Sequence, residues 1–284
     1  MKIYENVQEA ETAIRRNMPP ILYKYRDWSN LYHQQLLTEH TLWLAAPKEL
    51  NDPHDIRVPL SFNPEEVDHP LFMEKLREQQ KVINPLLNSS SREFHTLCEN
   101  QLDIIKANPN KWFQSNYAAI RESSIYDCFG VLSLTNQPLQ ATMWAHYTGT
   151  SARGFCIGWN TVELARTLSD CGLYKVHYQQ EPLTHSFLTI SLEQEILKQC
   201  TKNLKWSYEE EYRFVTPCIE QPSDRIKTFP PSSVREIFLD GRMPREHRVK
   251  IIDILTQQYA SQVTLYVIQQ SSSQYEFQKQ LITY

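Results

Sequence analysis

The segment KWSYEEEYRF, residues 205–214, brings carboxylates, an arginine and aromatic rings close together. In a β-strand, successive side chains point to opposite faces. Glu209, Glu211 and Arg213 would then share one face, whereas Glu210 would join the aromatic face. Two carboxylates beside a guanidinium suit ribose hydroxyls, a developing oxocarbenium ion or a cation. The alternative is a solvated strand face with a cross-strand ion pair, which is common in proteins.

A second group of candidate residues lies in LQATMWAHY, residues 139–147, which is predicted to be a short helix. Met143, Trp144 and Tyr147 occupy positions i, i+1 and i+4 of this helix. His146 and Tyr147 would face a pocket at the end of the helix. The alternative is that the aromatic rings simply pack the helix onto a sheet, because such stripes usually belong to the core.

Two basic residues, Lys24 and Arg26, lie at the end of the predicted strand ILYKYRD, residues 21–27. A helix is predicted directly after this strand. The N-terminus of a helix favours anions because its first backbone N–H groups have no partners within the helix. Lys24 and Arg26 are therefore a candidate cradle for a phosphate group.

A possible metal site lies in LNDPHD, residues 50–55, where His54 stands between Asp52 and Asp55. Asp52, His54 and Asp55 are ligand types that bind metals, but their spacing matches no established ligand set. Asn, Asp and Pro together are typical of a turn, which is the structure predicted here. The sequence also contains no P-loop, G-x-G-x-x-G, G-x-S-x-G or H-E-x-x-H motif.

The strand and helix patterns around these residues predict an α+β fold with a central mixed β-sheet. Strand and helix patterns alternate over residues 126–284, and a strand–helix–strand unit is predicted over residues 21–47. Three helices, broken at Asn-Pro steps, are predicted in a helical insertion over residues 64–124. The whole chain, residues 1–284, is predicted to form a single domain around this sheet.

The bulk composition narrows the class of protein. The net charge of -4 provides no basic field that would collect nucleic-acid phosphates. The six cysteines include no C-x-x-C pair, so no metal or redox motif of that kind is present. No membrane-spanning run and no apolar signal core are found, and a cytoplasmic protein is expected.

Five segments occur in an order that resembles a known family. They are LYKYRD, LWLAAPKELNDPHD, MWAHYTGTSARGFCIGW, KWSYEEEYRF and VREIFLDGRMP. Their N-D-P turn, M-W-x-x-Y helix and W-x-x-E-x-E-x-R motif resemble the bacterial domain-of-unknown-function family twenty-nine seventy-one. The resemblance extends from about residue 21 to residue 270, and it supplies no activity.

A more distant resemblance is to the ADP-ribosyltransferase superfamily, carried by an early strand with arginine and a late strand with E-x-E. This resemblance implies glycosyl transfer from NAD, with NAD as substrate and no metal. It implies that Glu211 is the catalytic glutamate and that Glu209 is its activating partner. Arg26 would hold phosphate or ribose, and Tyr147 would stack on nicotinamide.

Lys24, Trp144 and Arg213 complete the predicted nucleotide-binding set. The resemblance further implies a toxin or phage-defence effector that modifies an acceptor protein or nucleic acid. One alternative is a non-catalytic ligand-sensing or protein-interaction module that uses the same residues as a pocket. Another is a metal-dependent nuclease that uses Asp52 and Asp55 or the glutamate pair, against which the missing basic field argues.

Overall fold

The computed structural model describes residues 7–122, 128–149, 153–189, 191–217, 219–259 and 262–284. The helices in these ranges are α1 (Val7–Asn17), α2 (Leu31–Thr38), α3 (Pro70–Ile83), α4 (Arg92–Ala107), α5 (Pro109–Glu122), α6 (Ala141–Tyr147), α7 (Thr161–Thr167), α8 (Leu192–Gln199) and α9 (Arg245–Gln258). The strands are β1 (Ile21–Asp27), β2 (Thr41–Trp43), β3 (Leu60–Phe62), β4 (Gly130–Thr135), β5 (Gly154–Asn160), β6 (Gly172–Lys175), β7 (His177–Gln179), β8 (Leu183–His185), β9 (Thr201–Asn203), β10 (Glu211–Thr216), β11 (Ile226–Thr228), β12 (Val234–Asp240), β13 (Thr264–Gln270) and β14 (Phe277–Ile282).

The chain divides into two compact units. The first contains Met1–Leu50, Asp127–Tyr178 and Asn203–Tyr284, and the second contains Asn51–Tyr126 and Gln179–Lys202. In sequence, the helical insertion predicted over residues 64–124 lies within the second unit. The prediction of a single domain over the whole chain stays a prediction.

The first unit is built on an eight-stranded sheet in the order β14-β13-β12-β5-β1-β4-β10-β6. Neighbouring strands are antiparallel except for β12 and β13, which run parallel. The predicted α+β class with a central mixed sheet is therefore confirmed. Strand β2 pairs with β11 in a separate two-stranded ladder, and it ends at Trp43 rather than at residue 47 as predicted.

Strand β1 lies in the interior of the sheet, and its alternating side chains contact different layers. Leu22 belongs to the larger hydrophobic core, together with residues of α2, β5, β10, β12 and α9. Tyr23 and Tyr25 point to the opposite face, where they pack with Met143 and Trp144 of α6. Both faces of β1 are thus covered, although Lys24 and Arg26 interrupt its apolar sequence.

The second unit has its own hydrophobic core, in which Phe62, Phe72 and Phe113 pack with aliphatic residues such as Leu60 and Leu76. Helices α3, α4 and α5 supply much of it, and β3 pairs in parallel with β8. The predicted breaks between the three helices are confirmed, since α3 is capped by Asn84 and α5 begins at Pro109. Proline after asparagine disfavours helical backbone at the asparagine, and this stops each preceding helix.

The strand predicted across KWSYEEEYRF is wrong in its first half. Leu204–Glu209 is a 3₁₀ segment, and Asn203 caps it by accepting a hydrogen bond from the backbone N–H of Lys205 at 3.0 Å. Glu210 then adopts a left-handed conformation, with φ 42° and ψ 52°, and β10 begins only at Glu211. The predicted alternation therefore does not apply to Glu209.

Other element boundaries also differ from the prediction. The sequence SFLTISLEQEILKQCTKN, residues 186–203, is largely typical of a helix, but the helix described there is limited to α8 and is followed directly by β9. The sequence LYKVHYQ, residues 173–179, is typical of one strand, but it is divided at Val176 between β6 and β7. Helix α1 and strand β14 are not predicted. The sequence of β14 is largely polar, whereas α1 is mainly polar but amphipathic, a pattern that indicates a helix.

Candidate functional site

The candidate site of the first unit combines side chains from β1, α6, β10 and the 3₁₀ segment Leu204–Glu209. Helix α6 packs on the β1 face that carries Tyr23 and Tyr25. The 3₁₀ segment leads into β10, which pairs with β4. These elements bring together several of the residues that the sequence analysis selected.

Glu211 and Arg213 form a buried ion pair on β10. Their cross-strand partners are Thr135 and Ser133 of β4, so both side chains lie on the same face, as predicted. The Arg213 guanidinium donates from Nε to Glu211 Oε1 at 2.7 Å and from Nη2 to Oε2 at 2.9 Å. The side chain of Arg213 is 0% exposed and that of Glu211 is 4% exposed. Both carboxylate oxygens of Glu211 are thus held by Arg213.

Glu209 occupies a different position because it precedes the left-handed residue Glu210. Its carboxylate accepts a hydrogen bond from the Tyr147 hydroxyl at 2.6 Å, which links the 3₁₀ segment to α6. Glu209 is 2% exposed and Glu211 is 3% exposed. The alternative of a solvated strand face is therefore wrong for both glutamates.

Lys24 and Arg26 alternate along β1 with Tyr23 and Tyr25, and both are half-buried. Strands β1 and β4 pair only at Tyr23 and Thr135. Lys24 Nζ donates to the Ser133 carbonyl of β4 at 2.8 Å. Arg26 Nη1 donates to the Tyr25 carbonyl at 3.2 Å. Among the residues that the structure describes, neither cation has a carboxylate within ion-pair distance.

Burial and neighbouring charge alter the pKa values of three basic groups in the site. Burial, and then the charge of Arg26, hold the pKa of Lys24 well below its ordinary range, although Glu211 and Glu209 oppose this effect. Burial lowers the pKa of Arg26 to about 10, against an opposing effect of Tyr147. Burial and the charge of Arg26 lower the pKa of His33 to about 4. Shifts of this kind are frequent where ligands bind.

Two residues of the predicted nucleotide-binding set have core positions. Trp144 is 4% exposed, donates its indole N–H to the Pro138 carbonyl at 2.9 Å and packs edge-on against Tyr25. Arg213 is completely buried against Glu211. These contacts favour structural roles for both residues, and their assignment to ligand binding stays a prediction.

The structure adds three residues to the site that no sequence pattern indicates as site residues. They are His33, Ser133 and Tyr178, whose hydroxyl accepts the backbone N–H of Glu211 at 2.8 Å. Ser133 contributes only a carbonyl, and Tyr178 is far from β10 in sequence. His33 lies seven residues beyond Arg26. Its position in the first turn of the helix after β1 is the one sequence feature that could have indicated a place in the site.

The candidate metal ligands Asp52, His54 and Asp55 lie in the predicted turn, within the second unit. The Asp52 carboxylate accepts the backbone N–H of His54 at 2.9 Å, and Asp55 forms an ion pair with Lys202 at 3.2 Å. In the described ranges of the chain, no group of three or more His, Cys, Asp or Glu side chains is arranged to hold a metal ion. The described helices also include none that is long and apolar enough to cross a membrane.

The fold and the site define an α+β protein with a buried polar cluster of both charges. A family model described as "Protein of unknown function (DUF2971)" matches residues 143–214, about a quarter of the chain. No curated protein and no solved structure matches the chain. The matched range begins in α6 and ends in β10, so it includes Tyr147, Glu209, Glu211 and Arg213.

Proposed function

We propose that the first unit binds the phosphates of a nucleotide at Lys24 and Arg26 and cleaves its N-glycosidic bond beside Glu209. The proposed nucleotide is NAD, and the proposed activity is ADP-ribosyltransferase-like. The observation that carries the proposal is a pair of half-buried cations without a carboxylate counter-ion within ion-pair distance in the described residues. Buried charges are normally paired, so such cations favour an anionic ligand.

The second part of the proposal rests on the Glu209–Tyr147 hydrogen bond at 2.6 Å. When the bond between ribose C1′ and nicotinamide breaks, nicotinamide leaves with the bonding electron pair and positive charge develops on the ribose. A fixed carboxylate in a water-poor environment stabilises such a charge more effectively than one in solvent. Tyr147 holds the Glu209 carboxylate in one orientation, while Arg213 holds both oxygens of Glu211. We therefore assign the catalytic role to Glu209 rather than to Glu211.

The low exposure of both glutamates favours a second candidate, a non-catalytic ligand-sensing or protein-interaction module. In that case the cations would bind the anionic ligand, and no glycosidic bond would break. The two candidates share the binding site and differ in turnover. Only the first candidate includes an effector role, such as a toxin or a phage-defence protein. Only the first candidate also requires an acceptor protein or nucleic acid.

The test uses the full chain with NAD labelled on the adenylate part, together with a cell lysate that supplies acceptors. Released nicotinamide and transferred label are both measured. We expect Glu209→Gln to lower both by about 100-fold or more, as removal of an electrostatic catalytic group does in other enzymes. Glu246→Gln, an exposed change on α9, is the matched control and should leave both unchanged.

Binding of NAD is measured separately by calorimetry. Loss of one charge-assisted contact in Arg26→Gln should weaken binding by about tenfold or more. Binding without nicotinamide release by the wild type would support the sensing module and reject the enzyme. Failure of the wild type to bind NAD would reject both forms of the proposal for this nucleotide.

A further inference from the structure

Three aromatic residues of the first unit form a cluster that the proposed reaction does not use. We call His146, Trp206 and Tyr208 the aromatic corner. The ring centroid of His146 lies 6.2 Å from that of Trp206 and 5.9 Å from that of Tyr208, with interplanar angles of 67° and 71°. The Trp206 and Tyr208 rings are 6.0 Å apart and tilted by 39°. His146 thus stands nearly perpendicular to the other two rings.

The aromatic corner is partly accessible and is held in place. His146 is exposed, whereas Trp206 and Tyr208 are half-buried. The Tyr208 hydroxyl and His146 Nδ1 are joined by a hydrogen bond of 3.0 Å. The adjacent Tyr147–Glu209 hydrogen bond joins the same two elements, α6 and the 3₁₀ segment. Two bonds between these elements fix the angle between the rings, so little ordering is required when a ligand binds.

A carboxylate lies two residues after Tyr208. Glu210 has φ 42° and ψ 52°, a left-handed conformation that disfavours residues with a Cβ. This conformation turns the chain between Glu209, which is buried, and Glu210, which is exposed. Gln137 Nε2 donates to the Glu210 carboxylate at 3.2 Å. Glu210 therefore places a negative charge on the exposed surface two residues from Tyr208.

We propose that the aromatic corner, with Glu210 beside it, binds a small organic cation that carries a quaternary ammonium group. The faces of aromatic rings attract cations through their quadrupoles, and Trp is the most effective of them. A quaternary ammonium has no N–H groups to solvate, so it loses little hydration when it contacts the rings. A carboxylate adds attraction between opposite charges, and in solvent this contribution is modest. The inference does not depend on the NAD chemistry proposed above.

The test is an NMR titration of the ¹⁵N-labelled full chain with choline. The neutral isostere 3,3-dimethyl-1-butanol, which has the same shape without the charge, is the matched ligand. The indole N–H signal of Trp206 is identified by its absence from the spectrum of Trp206→Leu. We expect this signal to shift saturably with choline and the isostere to bind about tenfold more weakly, the range of a cation–π contribution.

Two variants test the remaining contacts. His146→Ala removes one wall of the aromatic corner, and Glu210→Gln removes the charge while it keeps all three rings. Each should weaken choline binding by about threefold to tenfold. Trp43→Leu, a change at an exposed residue on β2, should leave binding unchanged. Equal binding of choline and the isostere would overturn the proposal, as would unchanged choline affinity in both His146→Ala and Glu210→Gln.

Discussion

Arg213 binds both carboxylate oxygens of Glu211, the residue two positions earlier on the same strand, in a nearly solvent-free environment. This pair fixes one of the two E-x-E glutamates and leaves the other, Glu209, to contact Tyr147. The two glutamates therefore have different environments although only one residue separates them.

The Glu211–Arg213 pair should be essential for stability. Arg213→Met removes the guanidinium that binds both oxygens of a buried carboxylate, and we expect the free energy of unfolding to fall by about 3–5 kcal/mol. The double variant Glu211→Leu/Arg213→Met removes both charges and should recover most of this loss. Denaturant unfolding measures both effects. As control, Arg166→Met breaks the exposed pair with Glu11 and should cost less than about 1 kcal/mol. A double variant as unstable as Arg213→Met would contradict the prediction.

Tyr147 should stabilise the fold through its hydroxyl as well as its ring. Tyr147→Phe keeps the ring but removes the donor to the buried Glu209 carboxylate. A hydrogen bond to a charged group contributes about 1.5–3 kcal/mol, and we expect the free energy of unfolding to fall by that amount. Thermal and denaturant unfolding provide the measurement. Tyr275→Phe, at a fully exposed ring, should have no effect. Equal stability of Tyr147→Phe and wild type would show that the hydroxyl contributes nothing.

Anion binding should be coupled to proton uptake at Lys24. Burial and the charge of Arg26 lower the pKa of Lys24 in the free protein. A bound anion favours the ammonium form and raises this pKa again. At pH values between the free and bound pKa, the complex holds more protons than the free protein, so affinity falls as pH rises. Calorimetry with inorganic pyrophosphate in buffers of different ionisation enthalpy measures the uptake. Lys24→Gln should abolish it, and unchanged uptake in that variant would refute the assignment.

His33 should make the fold sensitive to acid. Its folded-state pKa of about 4 lies below the ordinary histidine value because of burial and the charge of Arg26. As pH falls, the unfolded chain takes up this proton first, so stability is lost between about pH 6.5 and about pH 4. His33→Gln should flatten the dependence of unfolding free energy on pH in that interval. The exposed change His95→Gln should not alter it. Parallel curves for wild type and His33→Gln would contradict the prediction.

Much of the fold follows from local sequence. The strands β5, β12 and β13 are short runs rich in β-branched and aromatic residues, which suits a sheet buried on both faces. The breaks at Asn84 and Asn108 follow from the conformational limits that proline imposes on the residue before it. These signals are carried by neighbouring residues, so no knowledge of the tertiary contacts is needed to interpret them.

Less of the candidate site than of the fold could be predicted from the sequence. Its residue types were recognised, and Glu211 and Arg213 share a face as expected. The position of Glu209 could not be predicted, because a left-handed glutamate at position 210 is unusual and no sequence pattern indicates it. The contact of Lys24 with the Ser133 carbonyl could not be predicted either, since it depends on how β1 and β4 pair.

Local sequence patterns are sufficient to predict the class of fold, most of the central strands and the residue types that could take part in chemistry. Which of these residues meet, and which are buried, depends on the tertiary contacts. The strand order brings β10 next to β4 and β4 next to β1, although long stretches of sequence separate them. Contacts between distant segments depend on the balance of burial and chain entropy over the whole fold. As a result, Glu211 pairs with Arg213 and Glu209 pairs with Tyr147. The motif E-x-E-x-R alone does not predict that the two glutamates have different partners.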